Sequence, residues 1–199
     1  MTKQQRNTRT EAAIRSAFIT LMKQKGLAAM TVSDIARLAN INRGTFYTHY
    51  TDKFDLCQQL IDDAQNDLTA IMRSSSNNNH RNDHGHTEVI SYDMILACLQ
   101  YIKHDYAFFD AISHSGNDMA LYNKCKDLLA ELLMMESAHI SQYQRFAADI
   151  PPVYAKEMLA SSAMSAIWLW LKRGCVEPPE TIAHLIDTAK HLAPIDMLQ

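Results

Sequence analysis

The stretch that decides the fold is TVSDIARLANINRGTFYTHYTDK, which covers residues 31–53. Thr31 and Asp34 form a capping-box pattern, because a threonine caps the first turn of a helix while an acid three residues later reaches back to the threonine amide. Asn40 suits a tight turn, since asparagine tolerates the left-handed backbone conformation. Asn42 is a suitable N-cap for the next helix. The stretch therefore predicts two short helices around a tight turn.

The second of these helices, predicted over residues 43–50, is polar on most of its surface. Only Phe46 and Tyr50 suit the core, and the other side chains carry hydrogen-bonding groups that we expect to face outward. Gly44 costs roughly 1 kcal/mol of helix propensity relative to alanine, which is reasonable where a helix approaches another backbone closely. A helix-turn-helix places its second helix in the major groove of DNA. The pattern thus predicts DNA binding.

Helical patterns continue on both sides of this stretch. A helix is predicted over residues 11–25, with Gly26 at its C-terminus, and another after Thr51 or Asp52, with an apolar stripe that starts at Phe54. Further helices are predicted at about 88–104, 106–113, 118–146, 152–172 and 179–192. Five glycines and five prolines argue against a turn-rich β fold. We therefore expect an all-α protein of about nine helices.

Charge and composition divide the chain into parts. The net charge is −3, yet residues 1–53 carry nine Lys or Arg against three acids, so the remainder is strongly acidic. A polyanion-binding module needs cations only at its contact face, although chance surface charge is the alternative explanation. We predict a DNA-binding domain over 1–53, a connecting helix over 53–72, a mobile polar loop over 74–86 and a helical regulatory and dimerisation domain over 87–199.

The side chains that bind metals are poorly grouped in the sequence. The four cysteines lie far apart and form no CxxC pair, which favours buried thiols over disulfides or zinc; they are Cys57, Cys98, Cys125 and Cys175. His80, His84 and His86 have spacings that could ligate a metal, but no cysteine and few acids lie nearby. We predict neither a metal site nor a cofactor.

Enzymes and membrane proteins are also poor fits to the sequence. It contains no nucleophile elbow, phosphate-binding glycine loop or HExxH motif, and its carboxylates are scattered, so no catalytic residue is predicted. The N-terminal residues lack the apolar core of a signal peptide, and the longest apolar run, around 162–171, is far short of a membrane span. We therefore expect a cytoplasmic protein that is not an enzyme.

The stretch INRGTFYTHYTDKFDL, residues 41–56, resembles the recognition-helix signature of the TetR/AcrR family of transcriptional regulators. The resemblance covers residues 9–60 and implies a set of DNA contacts. The residues implied nearest the bases are Asn42, Arg43, Gly44 and Thr45. Those implied to hold phosphates are Thr31, Tyr47, Thr48, His49 and Lys53. At Thr48 many family members carry a second aromatic residue, so this contact departs from the pattern.

Two of these residues have a physical argument of their own. The Arg43 guanidinium can pair bidentately with guanine, which makes Arg43 the best candidate to read a base. Lys53 combines its charge with the amides at the start of a helix, which together suit a phosphate. Outside the motif, His49 would suit an ordinary surface histidine and Tyr47 a packing aromatic.

The resemblance also implies a helical body that dimerises through its last two long helices and often encloses a small-molecule pocket. Residues 160–171 are apolar nearly all round, and with 182–192 they could form half of a four-helix dimer interface or a core within one chain. Residues 101–118 resemble a C-terminal subgroup common in Gram-positive regulators. The pocket candidates, which equally suit plain core, are Tyr101, Phe108, Phe109, Met119, Tyr122, Met134 and Trp168.

Two functions follow from this resemblance. The first is a homodimeric repressor that binds double-stranded operator DNA and is released by a small-molecule effector. The alternative keeps the DNA-binding helices but gives the C-terminal body a protein partner instead of a small ligand.

Overall fold

The computed structural model describes residues 3–76, 91–113, 122–131 and 151–189, and every regular element in these ranges is an α-helix. The all-α prediction is confirmed. The helices are α1 Lys3–Ala29, α2 Val32–Leu38, α3 Arg43–Tyr47, α4 Lys53–Ser76, α5 Tyr92–His104, α6 Tyr106–Ser113, α7 122–131, α8 Pro152–Lys172 and α9 Pro179–Ala189. Within the described ranges, no helix is both long enough and apolar enough to cross a membrane.

The contacts divide the chain into two compact units. Unit one comprises Met1–Ala64 and Ala107–Leu121, and unit two comprises Gln65–Tyr106 and Tyr122–Gln199. The chain therefore passes between the two units three times: inside α4, at the start of α6 and between residues 121 and 122. Unit one therefore includes most of α6 in addition to the helix-turn-helix.

The core of unit one is built on α1, which buries five apolar side chains: Ile14, Ala17, Phe18, Leu21 and Met22. Phe46 of α3 and Leu56 of α4 are also fully buried. Two contacts of charged side chains hold α6 to α1. In the first, the Arg15 guanidinium lies 5.0 Å from the centre of the Phe108 ring. Lys23 and Asp110 form an ion pair of 2.7 Å, which joins the same two helices.

The ends of four helices differ from the predictions, and one of them is α5, which begins at Tyr92 instead of near residue 88. α1 begins at Lys3 instead of near residue 11, because its first residues are polar and give no apolar signal. α3 ends at Tyr47, three residues earlier than predicted. α4 continues to Ser76, so the start of the predicted polar loop is helical, while 77–86 lie outside the described residues. The predicted helix end at Gly26 is confirmed, since its φ of 73° breaks the helical geometry inside α1.

Unit two has its own core. α5 packs against α9 and α9 against α8. The indole of Trp170 on α8 is buried, and its Nε1 donates a hydrogen bond of 3.0 Å to the Glu177 carbonyl before α9. α7 packs on α8 through a cluster of Leu129, Ala130, Ala160 and Met164. Lys126 and Glu157 join the same two helices by an ion pair of 2.6 Å.

Candidate nucleic-acid interface

The helix α2 starts at a network centred on the Asp34 carboxylate. The Asp34 amide donates to Thr31 Oγ1 at 3.1 Å, and the Thr31 amide donates to Asp34 Oδ2 at 3.0 Å, so the predicted capping box is confirmed. Lys25 from α1 and Arg37 from α2 also bond this carboxylate, at 2.6 and 3.1 Å. The Lys25 ammonium and then the Thr31 donors lower the pKa of Asp34 well below its ordinary value. Thr31 is therefore held rigidly at an exposed helix start.

The tight turn and the cap of α3 also follow the sequence. Asn40 adopts a positive φ of 54°, as predicted for the turn. Asn42 Oδ1 accepts hydrogen bonds from the Thr45 amide at 2.7 Å and from Thr45 Oγ1 at 3.1 Å. A Cβ at Gly44 would lie 3.1 Å from the same Asn42 oxygen, which is crowded. The glycine thus has a reason inside the protein, beside the predicted close approach to DNA.

The outer face of α3 carries a stacked pair. Arg43 and Tyr47 are exposed one helical turn apart, and Arg43 Nη2 donates to the Tyr47 hydroxyl at 3.2 Å. The guanidinium carbon lies 5.8 Å from the centre of the Tyr47 ring, within cation–π range. Thr48 is exposed beside them and its hydroxyl donates to the Thr45 carbonyl at 2.7 Å. Phe46 and Tyr50 face the core as predicted.

His49 differs from the expectation that it faces outward. Because α3 ends at Tyr47, His49 lies in the following turn, and only 9% of its side chain is exposed. Its Nδ1 lies 3.3 Å from Oε1 of Glu11, which comes from α1. Sequence reasoning missed Glu11, since nothing in the local pattern links it to the helix-turn-helix.

Lys53 is also engaged within the protein. Its ammonium donates to the carbonyl oxygens of Ala28 at 2.8 Å and Met30 at 2.7 Å, and so ties the start of α4 to the end of α1. The amides of Phe54 and Asp55 donate to Oδ1 of Asp52, both at 2.8 Å. These first-turn amides therefore already have an acceptor, and the predicted phosphate contact depends mainly on the remaining ammonium hydrogen. Phe54, predicted in the buried stripe, is 57% exposed.

Two family models match the chain. One, described as bacterial regulatory proteins of the tetR family, matches residues 14–60. The other, described as a transcriptional regulator C-terminal region, matches residues 91–190, which is half of the chain. The chain belongs to the TetR family of transcriptional regulators. It is accordingly a DNA-binding regulator, as the resemblance implied, and its helix-turn-helix is the DNA-binding element of this family.

Individual TetR-family relatives are distant in sequence. The uncharacterised regulator YxbF of Bacillus subtilis is 23% identical over 88% of this chain, but the match covers 43% of YxbF. A TetR regulator of Streptococcus agalactiae matches with a TM-score of 0.63 at 21% identity, over 94% of this chain and 96% of that chain. NalD of Pseudomonas aeruginosa matches with a TM-score of 0.61 at 18% identity, over 92% and 93%. The solved structures support the TetR fold.

The pocket candidates of the TetR-like body fall into separate groups. Phe108 and Phe109 are buried in unit one, whereas Tyr101, Tyr122 and Trp168 belong to unit two. The rings of Tyr122 and Trp168 meet edge to face with centres 5.4 Å apart. The Tyr101 hydroxyl donates to Asp67 at 2.9 Å. The other two candidates, Met119 and Met134, lie outside the described residues.

The potential metal-binding residues form no metal site in the part of the chain that the structure describes. His80, His84 and His86 lie outside the described residues, and those described contain no group of three side chains suited to a metal. Burial of the Cys98 thiol and the surroundings of the partly buried Cys125 raise both pKa values to about 12, so these thiols are protonated near neutral pH.

Proposed function

We propose that this TetR-family regulator is a dimeric repressor that binds operator DNA through α3 and is released by a small-molecule effector. The observation that carries the DNA-reading part is the exposed Arg43–Tyr47 pair on the outer face of α3. The pair is exposed while neighbouring Phe46 anchors the helix in the core. A recognition helix needs this arrangement, with hydrogen-bonding groups outward and an apolar anchor inward.

We assign the contacts by the chemistry that each side chain offers. Arg43 reads a base, because its planar guanidinium can meet two acceptors of guanine at once. Tyr47 holds the guanidinium in place and offers its hydroxyl to a phosphate. Thr31 and Thr48 are exposed as well, but their hydroxyls already donate to Oδ2 of Asp34 and to the Thr45 carbonyl, so each must release that hydrogen bond to donate to a phosphate. Asn42 and Thr45 are occupied with each other at the helix cap, so we expect their roles to be mainly structural.

The proposed dimer uses the exposed face of α8. Tyr154, Met158 and Leu169 are exposed large apolar residues at helical spacing, and Ser162 and Ser165 lie between them on the same face. Small residues between apolar ones allow a second helix to approach closely. On α9 the exposed apolar residues include Leu185. A twofold axis would pair α8 and α9 with their copies in a four-helix bundle, which buries this apolar surface.

The proposed repression follows a structural relative, and the proposed effector follows the side chains of unit two. NalD is described as the secondary repressor of the MexAB-OprM multidrug efflux pump, which supports repression as the mode of action. In unit two, Met72, Tyr122, Cys125 and Ile167 pack only partly buried around the core cluster of α7 and α8. Polarisable and aromatic side chains of this kind suit an apolar effector. We place the protein in the cytoplasm with its operator and assign it no catalysis.

The proposed function can be tested by selection. The full chain is incubated with random-sequence duplex DNA, and bound molecules are recovered, amplified and sequenced over several rounds. We expect an enriched motif with twofold symmetry and half-sites about 34 Å apart, which is one helical turn of DNA. An enriched motif without symmetry would contradict the dimer, and the absence of any enriched motif would contradict sequence-specific binding.

A further inference from the structure

The backbone and the ring of His49 each have a contact within unit one. Its backbone amide donates to the Phe46 carbonyl at 3.0 Å, and Phe46 is fully buried, so the turn that carries His49 is anchored in the core. On the other side, Nδ1 of His49 lies 3.3 Å from Oε1 of Glu11 on α1. The neighbouring Tyr50 ring has its centre 6.1 Å from the centre of the imidazole. Of the two ring nitrogens, Nδ1 is the one that lies beside Glu11, which leaves Nε2 as the donor for a second partner.

Glu11 is unusual among the acids of the basic segment. Residues 1–53 contain only three acids, and two of them, Asp34 and Asp52, cap the starts of α2 and α4. Glu11 caps no helix, because α1 begins at Lys3 and Glu11 lies in its interior. A carboxylate in a module that binds polyanions opposes binding unless its charge is offset. Its partner is a residue to which the family resemblance assigns a phosphate contact.

We propose that Glu11 is a positioning residue for His49, holding Nδ1–H so that Nε2–H points to a phosphate of the bound DNA. The proposal rests on the proposed function, since it needs a DNA backbone beside the turn after α3. Phosphate and carboxylate oxygens accept hydrogen bonds but cannot donate them. Both ring nitrogens therefore have to donate, which only the protonated imidazole can do. DNA binding then takes up one proton, and His49 carries the positive charge between two anions.

The titratable groups beside the His49 ring are Glu11 and Tyr50. Glu11 faces the ring from α1, and Tyr50 lies beside it. Burial, followed by the charges of Glu11, Asp63 and Asp55, raises the pKa of the Tyr50 hydroxyl, so Tyr50 remains neutral near pH 7. Histidine side chains change charge between about pH 5 and 8, so the predicted dependence falls in an accessible range. Asp63 is exposed and serves as a control, because removing it deletes the same charge without touching His49.

The experiment measures the affinity of the full chain for the duplex selected from random DNA, from about pH 6 to pH 8 at fixed ionic strength. The variants are Glu11→Gln, His49→Gln, their double variant and the control Asp63→Asn. For the unaltered chain we expect affinity to rise several-fold in total between pH 8 and pH 6, and uptake of one proton limits the rise to tenfold per pH unit. In Glu11→Gln and in His49→Gln the change in affinity over this pH range should be less than about twofold. The double variant should bind the selected duplex as tightly as His49→Gln does.

Several results would overturn the proposal. If Glu11→Gln tightened binding equally at every pH, Glu11 would be only an unfavourable charge, which is how Asp63→Asn should behave. Additive losses in the double variant would also contradict it, because Glu11 would then act without His49. Isothermal titration of the unaltered chain in buffers of different ionisation enthalpy provides a test that needs no variant, and uptake of no proton would overturn the proposal. If the unaltered chain did not prefer the selected duplex over a scrambled one, the proposed function itself would fail.

Discussion

The helix α3 in unit one and the helix α8 in unit two both leave one face exposed, but the two faces differ in chemistry. α3 exposes Arg43 and Tyr47, which are joined to each other by a hydrogen bond, and its start is capped by Asn42. α8 exposes the apolar Leu169, which is 61% accessible, and has no side-chain cap at its start. The first face suits a polar, charged partner, and the second suits another apolar protein surface.

The difference shows how exposure should be interpreted in this molecule. On α3 two adjacent aromatic residues lie in different environments, since Phe46 is fully buried while Tyr47 is 49% exposed. On α8, Trp170 is buried beside the exposed Leu169. Each helix therefore has an inner side chain that stabilises its own unit and an outer one that is available to a partner. Substitutions on the inner and outer sides of each helix should separate these two roles.

The largest effect is expected from the inner side of α3. Phe46→Ala should lower the free energy of unfolding by about 3–5 kcal/mol, because it removes a fully buried aromatic ring. Its matched control is Tyr47→Ala, which should lower the free energy of unfolding by only about 0.5–1.5 kcal/mol, because the half-exposed Tyr47 ring contacts Phe46 edge to face. The same variant should weaken binding to the selected duplex. Denaturant titration of both variants checks this. Equal destabilisation by the two would show that the Tyr47 ring is part of the core.

On α8, Leu169→Glu should convert the proposed dimer to monomer. A charge buried without a partner in the interface should cost about 3 kcal/mol or more of association free energy, so dissociation should appear at micromolar concentrations in sedimentation equilibrium. Val176→Glu is the control, because Val176 is an exposed apolar residue in the turn between α8 and α9. A dimer that survives Leu169→Glu would place the interface on another surface.

Lys53→Met tests the connection between α1 and α4. Loss of the hydrogen bonds to the Ala28 and Met30 carbonyls should lower the free energy of unfolding by about 1–3 kcal/mol. If Lys53 also holds a phosphate, the slope of log affinity against log salt should become shallower by about one charge. Lys53→Arg keeps the charge and should preserve the slope. Unchanged stability would contradict the observed contacts, and an unchanged slope would limit Lys53 to its structural role.

The smallest effect is expected from the Asp34 carboxylate. Its pKa is lowered in the folded chain, so its contribution to stability is present above its ordinary value of 3.8 and is lost as pH falls through the lower folded value. Asp34→Asn should therefore lower the melting temperature by a few degrees at neutral pH, with a smaller difference in strong acid. Asp63→Asn is the control. A difference between Asp34→Asn and the unaltered chain that is independent of pH would argue against this linkage.

The sequence predicted contacts between residues that are close together in the chain, but not contacts between residues that are far apart in it. The caps at Thr31 and Asn42 and the turn at Asn40 were predicted correctly, because each involves residues only a few positions apart. The bonds of Lys53 to Ala28 and Met30 were not, because they join residues whose contact depends on how whole helices pack. Local patterns indicate where helices start, whereas contacts between helices require the tertiary structure.

The same reasoning explains the errors at the ends of the helices. α1 extends back to Lys3 because polar residues continue the helix without an apolar stripe to signal it. His49 was expected to be exposed because the predicted helix ran to Tyr50, but the chain leaves the helix after Tyr47 and turns His49 towards Glu11. Periodicity correctly identified the buried Phe46 and Tyr50, since both remain on the inner side of this turn.

The most direct test of DNA reading by α3 is the affinity of Arg43→Ala for the selected duplex and for variants that change one base pair at a time. We expect a loss of about 1–3 kcal/mol on the selected duplex, together with relaxed discrimination at one base pair of each half-site and unchanged discrimination elsewhere. An equal loss on every duplex, including a scrambled one, would mean that Arg43 contacts only phosphates. An unchanged affinity would contradict the assignment of α3 as the helix that reads the bases.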